Sequence, residues 1–67
     1  MSIAKVMELS AESPESFEHA IRVGIKRASA TVDHIQSAWV KEQNVKVEDG
    51  KITSYRVNMK VTFILKD

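Results

Sequence analysis

The chain has 67 residues, ten basic and nine acidic for a net charge of +1, and no cysteine. This length gives one small domain whose core is marginal alone, and without cysteine there is no disulfide or thiolate metal site to support it. The balanced charge argues against nucleic acid or an anionic membrane as partner, and no apolar run nears the roughly 18 residues of a membrane span.

The two histidines, His19 and His34, cannot build a zinc site unaided. Self-association is the support that remains. Residues Met1 to Lys5 lack the basic and long apolar regions of a signal peptide. The expectation is therefore a cytoplasmic protein folded as a single domain over residues 1–67.

Residues 3–9 are short, mostly apolar and followed by a polar stretch, which reads as a strand. Ser13-Pro14-Glu15 then reads as a helix start. The serine is a capping residue, proline suits the first helical position, and glutamate favours the positive end of the dipole. Phe17, Ala20, Ile21, Gly24, Ile25 and Ala28 recur at helical spacing and form one apolar stripe. Glu15, Glu18, His19, Arg22 and Lys26 occupy the opposite face, with Glu18 and Arg22 spaced for an ion pair. The helix is expected to stop near Thr31–Asp33.

Residues 35–48 and 51–65 read as two strands joined by Asp49-Gly50, a hairpin turn signal. Counting outward from Glu48 opposite Lys51 sets Val40 against Met59 and Ala38 against Val61, on the face that would seat the helix. On the other face Trp39 meets Lys60, Lys41 meets Asn58 and Gln43 meets Arg56, so Ser37, Trp39, Lys41 and Gln43 share one side by period-two alternation. The same count puts the apolar pairs Ile35–Ile64 and Val47–Ile52 on that outer side, where a single helix leaves them uncovered. It also sets Gln36 against Phe63 and Glu42 against Val57 beneath the helix, so either the second strand is the poorer-covered partner there or a bulge shifts part of the register. The lone tryptophan thus lies outside the monomer's core.

The order strand, "SPESFEHAI" helix, "WVKEQ" strand, "DGK" turn and "YRVNMKVTF" strand resembles the dodecin family over essentially the whole chain. The resemblance implies an α+β fold of β-α-β-β order, with a three-stranded antiparallel sheet wrapped around one helix. It also implies a hollow homododecamer. Flavin binding is the activity the family is known for, with flavins stacked in pairs between tryptophans of neighbouring subunits. Here Ser37 occupies the stacking tryptophan's position, and Trp39 stands where several members carry an acidic residue. Arg56 replaces the glutamine that meets the isoalloxazine edge. Trp39 is two residues past Ser37 on the same face, about 7 Å along the strand. A second dodecin-like subgroup lacks the stacking tryptophan and is associated with calcium; "EQ", "GKIT" and "YR" place this chain nearer to it.

Two readings of the outer face follow. In the first, a flavin such as riboflavin or FMN stacks on Trp39, with Ser37, Glu42, Gln43 and Arg56 around it. Glu42 belongs to that set only through sheet curvature or a second subunit. In the second, Trp39 is a subunit-interface residue and calcium or another ligand is bound. Glu48-Asp49-Gly50 is too short for a helix-loop-helix calcium site, so oxygen ligands would have to converge across subunits. Trp39, Lys41, Arg56 and Lys60 also make a nucleic-acid platform, against which the single tryptophan and the net charge speak. His19 pairs only with Glu15 by spacing, and no glycine-rich phosphate loop exists, so a non-enzymatic protein is expected.

Overall fold

The computed structural model describes residues 3–65. In chain order it has β1 (Ile3–Ser13), α1 (Phe17–Thr31), β2 (Ile35–Glu48) and β3 (Lys51–Leu65). The three strands form one antiparallel sheet in the order β1-β3-β2. The long β2–β3 hairpin stretches the molecule to 52 × 19 × 13 Å.

Strand β1 is longer than the apolar segment 3–9. Its continuation through Ser13 alternates, with Leu9 and Ala11 half-buried and Ser13 buried, while Ser10 and Glu12 are exposed. The partners on β3 match layer by layer: Met7 with Val61, Leu9 with Met59, Ala11 with Val57 and Ser13 with Tyr55. Ser13 therefore belongs to the sheet and is not the helix cap. Ser16 is the cap, its Oγ accepting from the His19 backbone N–H at 2.9 Å. Either serine could satisfy a free helical N–H; the ladder with Tyr55 claims the first.

The helical stripe lands as its spacing dictates. Ala20, Gly24 and Ala28 are buried, Ile21 and Ile25 pack at the margin, and Phe17 meets Tyr55 edge to face at 5.1 Å. Beneath them Val57, Met59 and Val61 are essentially inaccessible. Each such side chain contributes roughly 1.5–3 kcal/mol on burial. Gly24 sets the closeness of the approach, since a Cβ there would lie 2.8 Å from Met59 Cε and 3.0 Å from Ala11 Cβ.

After α1, His34 turns the chain into β2 with a φ of 64°, its carbonyl accepting from the Ile64 N–H at 3.1 Å. At the hairpin tip Asp49 and Gly50 have φ of 51° and 75°, the two left-handed residues a tight hairpin turn requires. The expected pairs Glu48–Lys51 and Val47–Ile52 form there.

Beyond the tip the ladder departs from simple counting. An extra residue on β3, Thr53, moves the register by one, and an extra residue on β2, Lys41, moves it back. The pairs Trp39–Lys60, Val40–Met59 and Ala38–Val61 survive because the two offsets cancel. Between the bulges, Glu42 pairs with Asn58, Gln43 with Val57 and Asn44 with Arg56, replacing Lys41–Asn58, Glu42–Val57 and Gln43–Arg56. A third irregularity at Gln36 sets Ile35 against Phe63 instead of Ile64. Paired residues share a face, so Ile35, Val47 and Ile52 lie on the helix-bearing side of the sheet, not the outer side.

Helix α1 seats on β1 and β3 and makes no comparable contact with β2. Apart from Ile35, every residue of β2 is exposed, Val40 included. Only the β3 half of the expected seat is covered.

Candidate functional site

The outer face of the sheet gathers the chemistry the sequence points to. Trp39 is 50% exposed, and Lys60 Nζ stands 5.7 Å from its ring centroid. An ammonium over an indole is attracted by the ring's negative face, by about 0.5–1 kcal/mol at an exposed site. Ser37 pairs with Thr62 and lies on the same face as Trp39, one step away in the alternation.

The bulge at Lys41 decides which other predicted residues join this face. It turns Glu42 outward, where Oε1 accepts from Asn58 Nδ2 at 3.0 Å. The same step turns Gln43 to the helix-bearing side, opposite buried Val57. Ser37, Trp39, Glu42 and Arg56 thus share the outer face, and Gln43 is removed from it. Arg56 is four residues from Lys60 on β3, about 13 Å from the indole's partner position. A ligand touching both groups would have to span that distance.

Strand β1 supplies partners that single-strand reading did not pick out. Lys41 Nζ reaches across to Glu8 Oε1 at 2.9 Å, and Arg56 Nη2 donates to Glu12 Oε1 at 3.1 Å. Glu8 lies opposite Lys60 and Glu12 opposite Arg56 in the β1–β3 ladder. These opposite-charge pairs are the signal that could have announced the strand order. The hydrogen bond from Lys41, and then its charge, hold the Glu8 carboxyl below its ordinary range. The same contact raises the Lys41 ammonium. Carboxylates Glu8, Glu12 and Glu42 are each answered by a cation or an amide. Among the described residues no group of three or more His, Cys, Asp or Glu converges as a metal site.

His19 does find a partner that its sequence neighbourhood hid. Its Nδ1 lies 2.6 Å from Ser13 Oγ, and its Nε2 lies 3.4 Å from Glu15 Oε2. The order serine–histidine–glutamate has the form of a nucleophilic relay. However, Ser13 is 1% exposed, and its Oγ also accepts the Glu15 N–H at 2.9 Å, so no substrate carbonyl has room beside it. The cluster pins the β1–α1 corner.

Together these features define a small β-α-β-β protein whose outer sheet face carries one half-exposed tryptophan. The Dodecin family model matches residues 3–66, and the chain belongs to the dodecin family. The calcium dodecin of Mycobacterium tuberculosis is 40% identical over 67 residues, with 98% of this chain and 93% of the relative covered. Among solved structures, dodecin from Streptomyces davaonensis matches with a TM-score of 0.94 at 36% identity, covering 98% of this chain and 97% of that one. The crystal structure of the Mycobacterium tuberculosis calcium dodecin, which has a novel calcium-binding site, matches at 0.83 and 37% identity, covering 96% and 91%.

Proposed function

We propose that the chain is a non-enzymatic binding protein, one domain over residues 1–67, that self-associates into a hollow shell and sequesters a small ligand on the outer sheet face. The observation that carries this is the state of β2. An almost wholly exposed 14-residue edge strand bearing Val40, Val45, Val47 and a half-exposed Trp39 is not a stable end point for a small soluble chain. Twelve copies is the number the dodecin resemblance implies.

In the first reading the ligand is a planar aromatic molecule of the flavin class stacked on Trp39, a reading the half-exposed indole supports. Two neighbouring copies would present two indoles, and Lys60 would lie close to any anionic edge. Ser37 leaves room where the family places its own tryptophan. Glu42 and Arg56 are engaged with Asn58 and Glu12 and would contact only a ligand that extends along β3.

Calcium is the second reading, favoured by the 40% identical relative named calcium dodecin. Calcium takes roughly six to eight oxygen ligands. The carboxylates of one chain do not converge, so such a site would form between copies and would have to release Glu8, Glu12 or Glu42 from its present partner. In that case Trp39 serves as an interface residue.

Titration of ligand-free protein with riboflavin and FMN, followed by flavin fluorescence, separates the two. Saturable quenching at a fixed ratio to subunits supports the flavin reading. An assembled particle that leaves the fluorescence unchanged overturns it, and calcium retained through gel filtration then supports the second.

A further inference from the structure

Around the indole the outer face pairs off its charged groups with one exception. Lys41 is bound to Glu8, and Glu42 accepts from the Asn58 amide. Glu8 lies directly opposite Lys60 in the β1–β3 ladder, yet its carboxylate is taken by Lys41 from the far strand. Among the described residues no carboxylate lies within ion-pair distance of Lys60. Its ammonium stands instead over the Trp39 ring, on the plane a stacked ligand would use.

We infer that Trp39 and Lys60 act as one recognition unit that selects planar aromatic ligands carrying a negative charge, with Lys60 as the residue that sets the selection. The selection rests on the stacking proposed above and specifies the charge of the ligand. An indole by itself accepts any flat ring through its π-face and does not discriminate by charge. An ammonium held over that face does. A neutral ring stacking there displaces the cation and returns nothing for the lost cation–π contact, and a cationic ring meets a like charge. A ring bearing a carboxylate or phosphate returns a charge-assisted hydrogen bond to the displaced ammonium.

The fold suits Lys60 to this task better than its neighbours. Lys60 sits on the central strand, whose backbone is held by β1 on one side and β2 on the other. Only its flexible four-carbon stem has to move for the ammonium to pass from the ring to a ligand. Lys41 and Arg56 would first have to give up Glu8 and Glu12, and the ladder sets Arg56 four residues further along β3. The contact is solvent-exposed, so its strength depends on ionic strength.

Riboflavin and FMN share one ring system and ribityl chain and differ in the terminal phosphate, so the ratio of their affinities reads charge. Each is titrated into the full chain at low and at high salt, followed by flavin fluorescence. FMN is expected to bind about two- to fivefold more tightly at low salt, the size of an exposed charge contact, with the ratio falling toward one at high salt. Lys60→Gln should remove the preference at low salt and Lys60→Arg should keep it, with circular dichroism verifying the fold of both. Equal affinities in the wild-type chain, or a preference that Lys60→Gln leaves intact, overturn the role of Lys60 while stacking on Trp39 stands. The salt series on the wild-type chain needs neither variant, and a preference that high salt does not diminish overturns the role as well. Quenching by neither flavin removes the stacking itself, and the selection with it.

Discussion

The β1–β3 half of the sheet and the β2 edge carry similar residues and end in opposite states. Val57, Met59 and Val61 on the central strand are sealed by α1, while Val40, Val45 and Val47 on the neighbouring strand face solvent. Their difference is reach. A single 15-residue helix with small residues on its stripe lies close over two strands and has no width left for the third. The covered half gives the chain its fold, and the bare half leaves apolar side chains of β2 in solvent.

Substitutions in the two halves should therefore act differently. Met59→Ala removes the largest fully buried side chain and is expected to cost about 2–5 kcal/mol in urea unfolding, the range for such truncations. A cost below about 1 kcal/mol would mean the covered half is not the core. Ile52→Lys acts on the bare half: the helical circular dichroism should persist while the particle dissociates, read by sedimentation. Retention of the full particle would show that this edge takes no part in assembly.

Gly24→Ala comes next. Overpacking against Met59 and Ala11 costs about 1–3 kcal/mol and better helix propensity returns up to about 1, for a net loss near 1 kcal/mol by thermal melting. Trp39→Ala should change chain stability by no more than about 0.5 kcal/mol, as for an exposed site, yet abolish flavin quenching in a particle that still assembles.

The smallest effect belongs to Glu8 and Lys41. Glu8's folded pKa is lowered, so its contribution is complete above the ordinary carboxylate value of about 4.3 and is lost as pH falls through the lowered one. Lys41's folded pKa is raised, so its contribution is complete below about 10.4 and is lost as pH rises through the raised value. Melting temperature of Glu8→Gln against wild type should differ slightly between those limits and converge at acid pH. The pair is solvent-exposed, and added salt should shrink the difference.

Much of this was legible in the residues. The Ala20–Gly24–Ala28 stripe, the Asp49-Gly50 turn and the alternation of β3 fix the helix, the hairpin and the central strand, since each signal arises within one element. The Trp39–Lys60 pair was legible only because two opposite bulges cancel before reaching it. Their effects on Glu42 and Gln43 were not. Apart from Ile35, strand β2 is exposed on both faces, so no burial pattern marks which of its residues is the extra one; the poor matches of Glu42 with Val57 and of Gln36 with Phe63 were the traces. The roles of Glu8 and Glu12 depended on β1 lying beside β3, a tertiary fact that no local period carries. Ser13 and Ser16 offer equal capping chemistry, and a ladder partner on a distant strand chose between them.

On the proposed reading, other copies of the chain cover the bare β2 edge. Sedimentation velocity of the wild-type protein at micromolar concentration tests it most directly. The expected result is a single species many times the 7.5 kDa chain, about twelvefold if the dodecin resemblance holds in full. A stable, folded 7.5 kDa species with β2 left in water would contradict it.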